Sequence, residues 1–389
     1  MFSFKIIKKL KNARTALFTT PNGTIKTPAF IPVATKATVK ALSSDDVRAI
    51  GFNSILSNTY HLMLQPESKI VKRLGGLHGF MNFDGPIFTD SGGYQVFSLG
   101  KGIACGVSKV KKPQNDTIGY QATNSKKSLV KITDQGVEFR SHLDGKKIFM
   151  RPEDSIKIQE ELGADIIFAF DECTSPTDSR AYLEKSLERT HKWADRCLKA
   201  HKRKNQALFG IVQGGDYKDL REKSAKFIGS LPFGGFGIGG SFGKEKMKKV
   251  LDWTIPYLPD NKPRHMLGIG VVEDIFQAVE LGIDTFDCVE PTRLGRHGTL
   301  LTKKGRVRIL SVKYKTDKKS IERGCKCELC DNYSRAYLHH LFKANEMTGP
   351  RLATIHNLTF MYKLMENIRK SIINNRFPSF KRSFLAKFS

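Results

Sequence analysis

The run DIIFAFD, at Asp165–Asp171, places five apolar residues between two aspartates. Apolar runs of about four to eight residues bounded by Gly, Asp or Pro are typical of buried strands in parallel sheets. Seven more runs of this kind occur along the chain. They are AFIPVA (Ala29–Ala34), NSILSN (Asn53–Asn58), PIFTD (Pro86–Asp90), ALFGIVQ (Ala207–Gln213), GFGIGG (Gly235–Gly240), HMLGI (His265–Ile269) and DTFDC (Asp284–Cys288).

Helix-compatible stretches separate several of these runs. Pro152–Leu162 opens with proline at the first helical position, Tyr182–His201 carries apolar residues among charges, and Asp274–Leu281 begins with an aspartate that can cap a helix. Eight β/α units over roughly 270 residues have the size of a (β/α)8 barrel. The sequence therefore predicts an α/β fold, a (β/α)8 TIM barrel in residues 1–298, with a basic insertion at about 101–134 after the third strand.

Polar or small residues stand at or next to the carboxyl ends of five predicted strands. They are Asp90, Asp171, Gln213, Gly240 and Asp287. In (β/α)8 barrels the carboxyl ends of the strands carry the chemistry, while the opposite face serves stability. For any one of the carboxylates, a helix N-cap after a βα loop is the simpler interpretation. Three aspartates and a glutamine on four different strands favour an active site.

Positive charge is concentrated in three segments of this 389-residue chain. It has 65 Lys and Arg against 38 Asp and Glu, a formal net charge of +27. Residues 1–14 hold five basic residues and no acidic one, residues 101–131 hold seven lysines and one aspartate, and residues 299–389 hold 20 basic and six acidic residues. A nearly neutral body with basic appendages suggests a polyanion such as nucleic acid. A solvated, solubilising surface is the alternative.

Several classes of protein are excluded by simple patterns. No apolar run reaches the ~18 residues that a membrane span needs, and residues 1–14 lack the apolar segment of a secretory signal. Seven cysteines, three of them within 325–330, do not form a secreted disulfide framework. We therefore expect an intracellular, cytoplasmic protein. Four phenylalanines among bases in 374–389 fit a docking helix better than a membrane-surface helix.

Cys325, Cys327 and Cys330 are spaced so that three thiols can converge on one ion from a tight turn. Zinc takes four tetrahedral ligands and accepts sulfur, so a histidine is expected as the fourth; the candidates are His339, His340 and His356. Local spacing does not choose among them, although His356 is expected just before an apolar helix, Leu358–Ile373. A closed set of four ligands predicts a structural Zn²⁺ in a basic, zinc-binding C-terminal subdomain of residues 299–389 packed on the barrel.

Six motifs occur in the order found in one known family. They are FTDSGGYQVFSL (Phe88–Leu99), DECT (Asp171–Thr174), GIVQGG (Gly210–Gly215), GIDTFDC (Gly282–Cys288), PTRLGRHG (Pro291–Gly298) and the Cys/His set; NTYHL (Asn58–Leu62) and SRAYLHHL (Ser334–Leu341) agree as well. Together they resemble the bacterial type of tRNA-guanine transglycosylase, also called queuine tRNA-ribosyltransferase. The resemblance spans nearly the whole chain.

The resemblance implies a glycosyltransferase of queuosine biosynthesis, more narrowly a pentosyltransferase. Such an enzyme exchanges guanine at the wobble position of tRNAs with GUN anticodons (for aspartate, asparagine, histidine and tyrosine) for a 7-deazaguanine base. Its partners are the tRNA anticodon loop and the base, its usual state is a homodimer, and it carries one structural zinc ion per subunit. Asp287 matches the nucleophile that traps the ribose, and Asp90 matches the general acid/base that handles the proton of the base.

The resemblance also implies the other site residues. The base-binding residues are Ser91, Gly92, Gly93, Tyr94, Asp171, Gln213, Gly240 and Leu267; the tRNA-contacting residues are Gly268, Ile269, Gly270, Val271, Val272, Glu273, Asp274, Thr292, Arg293, Leu294, Gly295 and Arg296; the zinc ligands are Cys325, Cys327, Cys330 and His356. The resemblance thus selects His356 among the three histidines. No phosphate-binding or dinucleotide-binding motif is present, so no energy source or redox cofactor is expected.

One loop departs from the bacterial pattern. It has Ser241 and Gly243 where typical members carry Leu and Val, which predicts more room for the 7-substituent of the base. Cys173 follows the pattern of enzymes that use the aminomethyl precursor preQ1. We therefore expect preQ1 as the base, with queuine itself as the alternative. An archaeosine-type enzyme lacks support because no RNA-binding domain follows the zinc region, and a non-catalytic tRNA-binding partner subunit should have lost Asp90 or Asp287.

Overall fold

The computed structural model describes residues 2–97, 130–240 and 246–388. Eight strands, in the order β10-β11-β12-β13-β14-β4-β5-β6, close into a barrel. Their bounds are β4 (Ala29–Ala34), β5 (Ile55–Ser57), β6 (Ile87–Thr89), β10 (Ile166–Phe168), β11 (Ala207–Val212), β12 (Gly235–Ile238), β13 (Arg264–Met266) and β14 (Thr285–Cys288). All eight runs identified in the sequence are strands, so the predicted α/β barrel is confirmed.

Chain contacts divide the molecule into two compact units. The first unit comprises Met1–Phe2, Ser57–Phe80 and Ile87–Met266, and the second comprises Ser3–Leu56, Met81–Pro86 and Leu267–Ser389. The boundaries of these units differ from the predicted domain boundary between residues 298 and 299. The division into domains 1–298 and 299–389 stays a prediction.

The first unit carries the parallel strand order β6-β10-β11-β12-β13. Short helices follow β5, and longer helices alternate with the later strands. The helices are α2 (Thr59–Leu64), α3 (Ser68–Arg73), α4 (Gly76–Met81, which ends in the second unit), α5 (Pro152–Leu162), α6 (Arg180–Ala200), α7 (Lys218–Ser230) and α8 (Met247–Thr254), with a short 3₁₀ turn at Ile255–Tyr257. An antiparallel sheet of β7 (Val130–Ile132), β8 (Val137–Arg140) and β9 (Lys147–Met150) precedes α5. Residues 101–129 of the basic insertion lie outside the described residues.

Large aromatic side chains fill the interior of the first unit because β12 is rich in glycine. Phe168 and Phe209 pack edge to face with ring centroids 5.6 Å apart. A Cβ at Gly235 would lie 2.4 Å from the Phe209 ring, and a Cβ at Gly237 would lie 3.1 Å from the Phe168 ring. The alternating glycines of GFGIGG therefore leave the space that the two rings occupy. Glycine has a low strand propensity, and the close packing of the rings explains its presence in this strand.

In the second unit, β14 pairs in parallel with β4. An antiparallel sheet of β1 (Ser3–Leu10), β2 (Ala13–Thr20) and β3 (Gly23–Thr27) and a hairpin of β15 (Thr299–Thr302) and β16 (Gly305–Arg308) accompany them. The helices are α1 (Ser44–Ile50), α9 (Val272–Glu280), α10 (Glu290–Arg296), α11 (Glu328–Asn332), α12 (Arg335–Lys343), α13 (Thr348–Ile373) and α14 (Phe377–Leu385), with a 3₁₀ turn at Val312–Tyr314.

Three helix starts differ from the sequence prediction, and the first is that of α6, which begins at Arg180 and not at Tyr182. Helix α9 begins at Val272, so Asp274 lies inside its first turn as a buried residue and Val271 occupies the cap position. Helix α13 begins at Thr348, so His356 lies within the helix and does not precede it. In the C-terminal tail, the Phe384 ring packs on Phe276 and Phe360, with centroids 5.4 Å and 6.4 Å apart. The tail therefore docks within its own unit.

Candidate active site

Asp90 follows β6 directly, and three donors bind its carboxylate. Asn58 Nδ2 donates to Asp90 Oδ2, the backbone N–H of Thr59 donates to Oδ1 at 2.9 Å, and Gln95 Nε2 donates to Oδ2 at 2.9 Å. Asn58 also caps α2 through the His61 amide. These contacts fix the orientation of the Asp90 side chain. Sequence reasoning assigned no role to Asn58, Thr59 or Gln95.

Asp171 and Gln213 form the centre of the predicted base pocket. Gln213 Nε2 donates to Asp171 Oδ2 at 2.6 Å, and Ser91 Oγ donates to Asp171 Oδ1 at 3.3 Å. All three residues are buried. The second polar atom of Gln213, Oε1, is buried without a hydrogen-bond partner within the described part of the chain. A buried acceptor of this kind is costly unless a ligand satisfies it.

Glycines allow close packing around Asp171 and Gln213. A Cβ at Gly93 would lie 2.8 Å from the Asp171 carbonyl oxygen, and one at Gly240 would lie 2.8 Å from Gln213 Oε1 and 2.7 Å from Arg221 Nη2. Gly240 has φ +98°, a backbone conformation that residues other than glycine rarely adopt. Gly92 also has a positive φ, +79°, and Tyr94 is half-buried in a helical segment at 93–97.

Arg221 connects the ends of two strands of the pocket. Its guanidinium is fully buried and donates to the carbonyls of Val212 at 3.2 Å, Gly215 at 2.8 Å and Gly239 at 2.9 Å. Burial lowers the pKa of Arg221 to about 10, so the side chain stays charged at neutral pH. Asp90, Ser91, Asp171, Gln213 and Gly240 all belong to the first unit, as their positions at the ends of neighbouring strands predict.

Asp287 lies in β14, in the second unit, and is half-buried. The backbone N–H of Gly268 donates to Asp287 Oδ1 at 2.9 Å. Next to it, burial raises the pKa of Cys288 to about 12, so this thiol stays protonated at neutral pH and is a poor nucleophile. A Cβ at Gly270 would lie 2.4 Å from Cys288 Cβ, so only glycine fits at position 270 without displacing Cys288. Leu267 is half-buried at the turn that follows β13.

The two predicted tRNA-contacting segments lie next to each other in the second unit. Residues 268–274 cover the turn after β13 and the start of α9, and residues 292–296 lie in α10. Gly270–Glu273, Glu290, Pro291 and Leu294 line a shared shallow cleft together with Leu301, Arg306 and Phe388. Arg293 is exposed, while Arg296 Nη1 is buried without a hydrogen-bond partner among the residues described. Burial, followed by repulsion from Arg293, lowers the pKa of Arg296.

The predicted metal ligands converge in the second unit. The ligand atoms of Cys325, Cys327, Cys330 and His356 all lie within 4.8 Å of one another, so the set could hold a metal ion. His356 Nδ1 is 3.5 Å from Cys327 Sγ and 3.3 Å from Cys330 Sγ. His356 Nε2 donates to the Leu301 carbonyl at 2.8 Å, which leaves the Nδ1 lone pair directed at the sulfurs.

The two other histidines are placed elsewhere. His339 is buried and contacts the Ile309 carbonyl at 2.8 Å through Nδ1, and His340 is exposed. Residues Ser241 and Gly243, on which the prediction of a wider base pocket depends, lie outside the described residues. None of the described helices is long and apolar enough to cross a membrane.

Comparison with known proteins identifies the family of this chain. Residues 9–389 match the sequence profile of the family described as "Queuine tRNA-ribosyltransferase". The chain belongs to this family. A putative queuine tRNA-ribosyltransferase of Archaeoglobus fulgidus is 49% identical over 98% of both chains. Queuine tRNA-ribosyltransferases of Staphylococcus haemolyticus and Halalkalibacterium halodurans are 48% and 46% identical, over 98% and 99% of this chain and 94% and 96% of theirs. The chain is therefore a pentosyltransferase, as its motifs predict.

Proposed function

We propose that this protein exchanges guanine at the wobble position of tRNAs with GUN anticodons for preQ1, by double displacement through a covalent enzyme–RNA intermediate. The observation that carries the proposal is the buried pair of Asp171 and Gln213, with one amide oxygen left without a partner. The edge of guanine presents N–H donors beside one carbonyl acceptor. A carboxylate and an amide side by side complement that edge, and adenine would leave these buried groups unpaired.

Two carboxylates supply the chemistry in this proposal. Asp287 attacks C1′ of the ribose as guanine departs, which forms a covalent ester and inverts the configuration. Asp90 gives the departing guanine a proton and then removes a proton from the incoming base. The incoming base displaces Asp287, which restores the configuration and leaves the RNA backbone uncut. The hydrogen bonds from Asn58, Thr59 and Gln95 hold the Asp90 carboxyl group in one orientation for both proton transfers.

The basic segments and the arginines of α10 bind the anticodon stem and loop in this proposal. The target base must leave the loop to enter a buried pocket, as in other enzymes that act on a single base. Arg293 is exposed, so its guanidinium suits phosphate binding. We further propose a homodimer of this chain in the cytoplasm, with one structural Zn²⁺ per subunit bound by the Cys3His set, a donor combination typical of structural zinc.

The exchange is tested with radiolabelled guanine and an unmodified tRNA whose anticodon begins with G. We expect label to enter this tRNA and none to enter a tRNA with A at the same position. A protein that binds the tRNA at normal affinity without incorporating label would be the non-catalytic partner subunit, and the proposed activity would be wrong.

Affinity for tRNA should depend strongly on salt. Because phosphate contacts release counterions, raising NaCl from 50 to 200 mM should weaken binding by roughly tenfold to a thousandfold. Filter binding across a salt series measures this, and Arg293→Ala should reduce the slope by about one. Lys199→Met, a charge removal at an exposed position near the end of α6, is the matched control and should leave the slope unchanged. Equal affinity at both salt concentrations would refute the phosphate contacts.

The choice of base is tested by competition. We expect preQ1 to release labelled guanine from the tRNA at lower concentration than queuine does. Gly243→Val adds bulk where the 7-substituent is expected and should discriminate against queuine more than against preQ1. If queuine outcompetes preQ1 in the wild-type protein, the protein salvages queuine and our choice of base is wrong. If the valine leaves queuine use unchanged, the predicted pocket is wrong.

A further inference from the structure

Glu172 directly follows the base-recognition residue Asp171 and is completely buried. One face of α6 holds it. Tyr182 donates to Glu172 Oε1, Arg189 Nη1 donates to Oε2, Thr190 Oγ1 accepts from its backbone N–H at 3.2 Å, and Ser186 Oγ donates to its carbonyl at 3.5 Å. Both the side chain and the backbone of the residue next to Asp171 are therefore fixed by a single helix.

Arg189 forms ion pairs with the buried Glu172 and with Asp134 at the surface. Side-chain exposure rises from 1% at Glu172 to 16% at Arg189 and 57% at Asp134, whose Oδ1 accepts from Arg189 Nε at 3.2 Å. The Asp134 carbonyl accepts from Trp193 Nε1 at 2.8 Å and from Arg196 Nη1 at 2.9 Å. The outer end of the pair is thus anchored to the same helix, so Arg189 is held between two carboxylates.

The ion pair of Glu172 and Arg189 affects Asp171 through its charge. Asp171 and Glu172 are consecutive, buried and both acidic, and like charges in a buried region repel strongly. Without Arg189, the negative charge of Glu172 would disfavour a second negative charge on Asp171. A protonated Asp171 would lose an acceptor position that the donors of guanine need. Scaffolding alone would not need a buried ion pair, since well-packed neutral residues are often as stable.

We propose that Glu172 and Arg189 are positioning residues for base recognition: Glu172 fixes the loop that carries Asp171, and Arg189 offsets the charge of Glu172 so that Asp171 accepts hydrogen bonds from the base as a carboxylate. This inference rests on the proposed function, in which Asp171 binds guanine. According to this inference, the Glu172–Arg189 ion pair affects binding of the base and not the chemical steps.

The test compares three variants in guanine exchange at saturating tRNA. Arg189→Met leaves the buried charge of Glu172 without its partner, so it should raise KM for guanine by roughly tenfold and change kcat by less than about threefold. Glu172→Gln should have a small effect because the glutamine oxygen still accepts from Tyr182. The double variant Arg189→Met/Glu172→Gln removes both charges and should return KM to within about threefold of the wild type.

The rescue separates charge balance from scaffolding. If the double variant has the same KM as Arg189→Met or a higher one, or if Arg189→Met leaves KM unchanged, the inference is wrong. Thermal unfolding of each variant checks the fold. Should Arg189→Met fail to fold, Arg189→Lys keeps the charge with fewer donors, and its KM should stay within about threefold of the wild type; a tenfold rise there would overturn the proposal.

Two further variants keep the inference distinct from the proposed function. Asp171→Asn tests base recognition itself: if it leaves KM for guanine unchanged, the proposed function fails. If Asp171→Asn raises KM and Arg189→Met does not, only the inference fails. Arg180→Met is the matched control, because it removes an exposed arginine of the same helix that pairs with Glu184 and Asp219, and we expect its KM to equal that of the wild type.

Discussion

Asp287→Ala should lower the rate of guanine exchange by roughly 10⁴-fold or more and abolish any protein–RNA adduct that survives denaturation. The variant should still bind tRNA, because Asp287 contributes one half-buried carboxylate and the basic segments are unchanged. The reason for so large an effect is that the proposed reaction passes through a covalent bond to this side chain. The adjacent thiol of Cys288 does not replace it, since that thiol is protonated at neutral pH.

Local structure supports the role of Asp287 as an oriented nucleophile. One oxygen, Oδ1, accepts from the Gly268 backbone N–H, which restricts rotation of the carboxylate. Gly268 has φ +73°, so a side chain there would strain the turn that supplies this donor. Asp287→Asn should keep the geometry but lose the nucleophile, and it should therefore be nearly as inactive as the alanine variant.

The measurement uses denaturing gel electrophoresis of the enzyme with labelled tRNA, followed by exchange kinetics. Asp252→Ala is the control: it removes an aspartate that pairs at the surface with Lys248, and we expect unchanged exchange and an unchanged adduct. An adduct of normal yield in Asp287→Ala would show that another residue is the nucleophile.

Apolar runs predicted the barrel strands because these strands are short and mostly buried. The strands outside the barrel were not predicted, because they lack continuous apolar runs and most of them are partly exposed. In β1 the side chains alternate between exposed and half-buried, and its three lysines indicated only positive charge in the sequence. The strands β7 to β9 and the β15–β16 hairpin are also short and partly exposed. Amphipathic strands of this kind carry a weak local signal.

The base pocket could be predicted from strand ends, but its supporting residues could not. Asp171 meets Ser91 and Gln213 because parallel strands bring their carboxyl ends to one edge. The donors to Asp90 gave no comparable signal. Asn58 looks like an ordinary helix cap, and it is one, while its amide also binds Asp90. The pairing of Arg189 with Glu172 likewise depends on how a helix packs on a loop, which spacing along the chain does not determine.

Removing the metal should destabilise the C-terminal part of the second unit more than any other single loss there. A structural zinc ion contributes directly to folding free energy, so we expect chelation or His356→Ala to cost at least about 3 kcal/mol and to lower Tm by roughly 5–10 °C. Elemental analysis should find one zinc per wild-type chain and none in His356→Ala. His340→Ala removes an exposed histidine from the same region and should keep full zinc content and the wild-type Tm.

Loss of the metal should also weaken tRNA binding, because the helix that carries His356 supports α10. The adjacent Asn357 donates through Nδ2 to the carbonyls of Pro291 at 3.0 Å and Thr299 at 2.9 Å, and its Oδ1 accepts from the Leu301 N–H at 2.8 Å. A Cβ at Gly295 would lie 3.0 Å from the backbone of Ala353, so α10 packs closely on α13. If α13 loosens, Thr292–Arg296 lose their fixed positions. We therefore expect His356→Ala to lower tRNA affinity about tenfold below the temperature of unfolding. Normal affinity in the zinc-free variant would show that the cluster stabilises the fold without positioning the RNA contacts.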